Sequence, residues 1–159
     1  MLKTLATRHQ HIIAYYMSSS SFFKPHQQTS NVTSVVVSTL PDAAIQYFKE
    51  KTGSNIIYST SRVNIEGTDF TVGMFLFAGD EGGLPSFCRL ENIFLVDNKV
   101  TFLTQDHKSD YIEHLRSYEL SPLSVTVRTL SELNDTLPLF AYNWHRKLLI
   151  TLRRYILLR

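Results

Sequence analysis

The spacing of hydrophobic and polar positions changes along this chain of 159 residues, and each change predicts a different element. In residues 1–17, Leu2, Leu5, His9, Ile12, Ile13 and Tyr16 recur at roughly helical intervals, which predicts an N-terminal helical arm. No N-cap signal precedes that pattern, so the arm reads as the end of a helix that begins elsewhere, or as a truncated gene model. Ser18 to Ser21 and the run from Lys24 to Ser30 have no periodicity, and 18–34 is expected to be a polar linker. A β-rich domain with a basic tail is then expected over 35–159.

Within that domain, Val35-Val36-Val37 predicts a short strand. Residues 41–51 predict a helix: Pro41 suits a first turn, Asp42 complements the N-terminal dipole, Ala44, Ile45 and Phe48 make one apolar stripe, and Gly53 supplies the stop. From Asn55 the period falls to two. Ile56 to Tyr58 opens a strand. Val63-Asn64-Ile65 and Asp69 to Val72 read as a hairpin, with Gly67 taking the positive φ. Gly73 to Ala78 reads as a buried strand and Asp80 to Pro85 as a loop. Phe87 to Val96 and Lys99 to Thr104 read as strands around the Asp97-Asn98 turn. Leu115 to Leu120 and Val125 to Val127 alternate, Thr129 to Leu133 predicts a short helix whose Thr129 and Glu132 fit a capping box, and Leu148 to Leu152 closes the set. Many short strands with one or two short helices predict a mostly β (α+β) fold, a small, partly open β-barrel or roll. The expected core comprises Ile65, Phe70, Met74, Leu76, Ile93, Leu95, Val100, Phe102, Leu115, Tyr118, Leu120, Val125 and Leu139.

Composition supports a packed core, with 43% hydrophobic and 19% charged residues. The single cysteine, Cys88, excludes an intramolecular disulfide and a multi-cysteine zinc site. The start lacks the apolar core and cleavage site of a secretory signal, and no apolar stretch reaches membrane-spanning length. A reducing, nuclear or cytoplasmic location without a membrane partner is therefore expected.

Charge is what changes the functional picture. Residues 1–63 carry a net +4, residues 64–141 a net −7 and residues 142–159 a net +5, beneath a formal total of only +2. Basic ends flanking an acidic middle either contact an anionic partner or lie across that middle.

Candidate chemistry is sparse. Gly79, Gly82 and Gly83 lack the Lys-Ser/Thr end and the following helix of a phosphate loop, so they read as a strand connection. Cys88 with His107 or His114 and Asp110 has the types of a nucleophile, base and acid, yet the Phe87 and Leu90 flanks read as a buried strand. Asp106, His107, Asp110, Glu113 and His114 have metal-ligand composition, and on a helix three of them would share a face. A polar loop entering the strand at Leu115 accounts for them more simply. The segment from Tyr142 to Lys147 interleaves aromatic and basic groups, the combination that stacks on bases and neutralises phosphates. No enzyme activity, metal or cofactor is expected. The expected function is a non-enzymatic interaction module binding an unidentified partner, with Tyr142, Trp144, Arg146, Lys147, Arg153 and Arg154 contacting an anionic partner. The alternatives are nucleic-acid binding by the same segment, or a truncated remnant without biochemical activity.

Several pieces of the chain also carry a family likeness. They are residues 2–17, Gly73-Met74, Gly83 to Phe87, Glu91 to Val96, His114 to Leu120, Leu137-Pro138-Leu139 and Leu152 to Ile156. In these the chain resembles the linker helix and C-terminal β-domain of uncharacterised mobile-element-related proteins of animals, over roughly two-thirds of its length. Its motifs are strand and turn residues and imply no catalytic role. A looser similarity, in the order glycine, strand, acidic loop, proline, aromatic, strand, is to bromo-adjacent-homology-like barrels of chromatin proteins.

Overall fold

A computed structural model describes residues 27–30, 32–53, 55–97, 99–133 and 135–152. The expected arm over 1–17 lies outside the described residues. The expected linker does so only in part, because Gln27–Ser30 forms a strand, β1, and Thr33–Val36 forms β2. There follow helix α1 (Asp42–Lys51), β3 (Ile56–Thr60), β4 (Arg62–Ile65), β5 (Thr68–Thr71), β6 (Phe75–Glu81), β7 (Leu84–Val96), β8 (Lys99–Ile112), β9 (Ser117–Thr129), β10 (Asp135–Leu139), β11 (Ala141–Trp144) and β12 (Lys147–Ile150). Short 3₁₀ turns occupy Val37–Thr39, Glu113–Leu115 and Leu130–Glu132.

The spine is the antiparallel trio β7, β8 and β9, each thirteen or fourteen residues long. Two stretches expected as loops are strand instead. Residues 80–85 form a two-residue hairpin turn, because Gly82 and Gly83 take φ of 61° and 82°, the conformation that matches strand twist. Residues 106–112 continue β8, where the buried alternate positions are His107 and Ser109 rather than aliphatic groups.

Single extra residues steer the sheet. The β7–β8 register shifts between Leu90 and Asn92. One added residue inverts the side-chain alternation, so Cys88 and Leu90 before it, and Ile93 after it, all enter one core. On that face β7 and β8 pack against the separate sheet β1-β4-β5 through Val63, Ile65 and Phe70, the last 5.3 Å from Phe102 between ring centroids. The opposite face is divided. Toward the β7–β8 turn it is covered by α1, whose Ala44 and Phe48 are fully buried against Ile57, Phe94 and Leu103. Pro41 stands at the N-cap, Asp42 in the first turn and Lys49 and Lys51 in the last, each on the favourable end of the helix dipole.

At the other end the same face curls inward around Phe75, Phe87, Leu120, Leu139 and Ile150. The strand order there is β10-β6-β7-β8-β9-β12-β11, so β10 and β11 stand at opposite ends of the sheet. Only Phe140 separates them in sequence, which limits the gap to about 7 Å. The two ends must therefore converge, and the sheet is a roll. Among the described residues no ladder joins β10 to β11, so the roll is partly open, as the sequence predicts. Of the expected core, Ile65, Phe70, Leu76, Ile93, Val100, Phe102, Leu120 and Leu139 are buried, and Met74, Leu95, Tyr118 and Val125 pack half-buried against them. Leu115 is the exception: it sits in the 3₁₀ turn, half-buried and outside all three cores.

Candidate interaction site on the last hairpin

The last hairpin is built by β11 and β12, paired from Ala141↔Ile150 to Trp144↔Lys147. The sequence places one final strand at Leu148 to Leu152; Ala141–Trp144 forms a further strand before it. The connecting turn is His145-Arg146, with φ of 46° and 66°. Left-handed backbone costs an L-residue roughly 1–2 kcal/mol, so the tip is held by the strands on either side. β12 supplies the anchor through fully buried Leu149 and Ile150, which pair with Glu119 and Tyr118 of β9.

β11 is the end strand of the sheet, and its outer edge has no strand partner among the described residues. Tyr142 and Trp144, two apart, present their rings on one face with 44% and 40% exposure, and Phe140 just before the strand is 73% exposed. Trp144 lies edge-on to His145 at 4.3 Å and to His114 at 6.4 Å between centroids. Tyr142 Oη is 2.8 Å from Ser117 Oγ, itself buried and 2.9 Å from Thr151 Oγ1.

Of the six residues expected to meet an anionic partner, the structure brings Tyr142, Trp144, Arg146 and Lys147 together on this hairpin. Arg153 and Arg154 lie outside the described residues. Lys147 is already engaged, its Nζ 2.6 Å from Glu119 Oε2. Arg146, exposed at the tip, makes no ion pair among the described residues. His114, Glu119 and Phe140 complete the surface and were not singled out for it by sequence, because two come from distant elements and the third from a one-residue link.

The other candidates are dispersed. Cys88 and His107 fall on opposite faces of the spine, the first in the core with Leu90 and the second against Phe75 at 5.3 Å, so they assemble no dyad. Burial pushes the Cys88 thiol up to about 12. Burial also holds the His107 imidazole below its usual value, with the Arg89 charge adding to this and its bond to the Gln105 carbonyl opposing it. Because 106–112 is strand and His114 lies in the 3₁₀ turn after it, His107, Asp110 and His114 do not share the helical face a metal reading requires. Among the described residues no group of three His, Cys, Asp or Glu is placed to hold a metal ion. Asp106 instead pairs with Arg128 at 2.7 Å and accepts the Thr126 hydroxyl at 2.7 Å. No helix among the described residues is long and apolar enough to cross a membrane.

Comparison of the chain with family models, with curated proteins and with solved structures gives no match.

Proposed function

We propose that this chain is a non-enzymatic interaction module that binds an extended acidic protein segment along β11. The observation that carries the reading is the end strand itself, with an edge unpaired among the described residues and exposed Tyr142 and Trp144 on one face. An added strand would satisfy the edge N–H and C=O groups, while alternate side chains of the segment would meet the aromatic rings. Arg146 at the tip favours an acidic residue there, Lys147 being already neutralised by Glu119. The resemblance to mobile-element-related β-domains supports placing the module in an element-derived protein of the nucleus or cytoplasm.

A second reading has its own support. Rings spaced two residues apart on a strand beside an exposed guanidinium are also a platform for unpaired bases. Trp144 is the chain's single tryptophan and reports on both readings. Its emission and the anisotropy of labelled acidic peptides and single-stranded oligonucleotides would be followed at several salt concentrations. Peptide binding that changes Trp144 emission and is lost in Trp144→Ser with Tyr142→Ser supports the first reading. Oligonucleotide binding with a log–log salt slope of about −0.7 per neutralised phosphate promotes the second. Peptide binding undiminished in the double variant would remove β11 from the function.

A further inference from the structure

The inner face of the roll carries two carboxylates where apolar lining is the norm. Asp135 of β10 lies directly across from Phe77 of β6, so both side chains fall on one face. The β6–β7 register then shifts between Phe77 and Gly79, which makes Ala78 an extra residue. That shift brings Asp80, opposite Pro85, onto the same face as Phe77, opposite Phe87. With Tyr118, Leu139 and Leu152 these groups line a cavity of about 390 Å³ at the mouth of the roll. Leu139 is buried and Asp80 exposed, so the floor is apolar and the rim acidic. Phe77 and Tyr118 flank buried Phe87, with centroids 6.1 and 5.9 Å from it. Among the described residues no basic side chain lines the cavity and neither carboxylate forms an ion pair.

We propose that this mouth binds a compact organic cation carried on an apolar stem, an alkylammonium in its simplest form. The stem would lie against Leu139 and Leu152, and the charge between Asp80, Asp135 and the rings of Phe77 and Tyr118. Aromatic faces attract a diffuse cation, and two carboxylates supply the countercharge. Among the described residues no third His, Cys, Asp or Glu joins the two aspartates to make a metal-binding group. The site is separate from β11 and stands independently of that proposal.

The test is titration of the full isotopically labelled chain with n-butylammonium chloride, and with n-pentanol as a neutral analogue, read by amide chemical shifts. The expected result is a saturable shift confined to residues around Asp80, Tyr118 and Asp135, with butylammonium at least about tenfold tighter than pentanol. Asp80→Asn with Asp135→Asn should weaken the amine about tenfold or more and leave pentanol unchanged. Asn at 135 keeps the Oδ1 acceptor that holds the Leu137 N–H at 2.9 Å, so the fold is retained. Phe77→Leu is the second variant and should also weaken the amine. Because Arg153 and Arg154 follow Leu152, the titration is repeated on Arg153→Gln with Arg154→Gln. Binding seen only there supports the site and identifies the chain's own tail as the cation. No saturable shift up to tens of millimolar amine in either chain, or equal affinity after loss of both carboxylates, overturns the proposal.

Discussion

The Tyr142 hydroxyl reaches across β12 to lie 2.8 Å from Ser117 Oγ on β9, tying the end strand to one it does not pair with. Tyr142→Phe removes that tie and keeps the ring. Ser117 retains the Leu115 carbonyl and Thr151 as partners, so no buried group is stranded. The expected loss is therefore small, about 0.5–1 kcal/mol in urea unfolding, with faster amide exchange in β11. Unchanged exchange in β11 would show that the hydroxyl pair does not hold the edge strand in place.

Much of this architecture is legible in the sequence wherever one local signal suffices. The helix at Asp42–Lys51, the Glu66-Gly67 turn and the Thr129–Glu132 capping box were all readable. In the last, the Thr129 N–H donates to Glu132 Oε2 at 2.6 Å. Legibility fails where polar residues take buried strand positions. In β8, His107 and Ser109 are buried while Lys108 and Asp110 are exposed, so the period of two is present but written in residues that read as loop. It fails again where register decides. Asp80 faces inward only because of the shift at Ala78, and Lys147 is neutralised by Glu119, 28 residues away. The aromatic half of the hairpin surface was visible in Tyr142 and Trp144, because both halves of that feature lie on one strand.

Cys88 should be inert in the folded chain. It is fully buried with Leu90 and Phe102, and its thiol is pushed up to about 12, chiefly by desolvation, with Asp106 adding and Arg128 opposing. Only the thiolate attacks a disulfide reagent, and almost none exists at neutral pH. Labelling with an aromatic disulfide reagent should follow the unfolding rate and become rapid in denaturant. Fast labelling of the native chain would place Cys88 in an open, electropositive setting and revive its candidacy as a nucleophile.

His107 gives the fold an acid-side weakness. Burial holds its folded value below the 6.5 of a free imidazole, the Arg89 charge lowering it further while the Gln105 carbonyl, Glu91 and Asp106 oppose. Between the two values the unfolded chain binds more protons, so stability rises with pH across that window. The contribution is complete above about pH 6.5 and is lost as pH falls through the folded value. Urea midpoints measured downward from neutrality should decline below about pH 6.5, and His107→Asn should flatten that decline. An identical slope in parent and variant would assign the decline to other groups.

The Asp106–Arg128 pair decides how one face of the spine tolerates charge. The carboxylate and guanidinium meet at 2.7 Å with side chains only 14% and 21% exposed, and Thr126 donates to the same oxygen. Asp106 Oδ1 and Arg128 Nε are buried with no partner, so the pair recovers only part of its desolvation cost. Removing one member leaves a lone buried charge, and Arg128→Met should cost about 3–5 kcal/mol. Replacing both, Asp106→Leu with Arg128→Met, removes the charges together and should cost much less, approaching neutrality. A double-mutant cycle in urea reads the difference. If the double variant loses as much as the two single changes added together, the pair contributes no coupling, and its role is confined to packing beside Phe102 and Thr104.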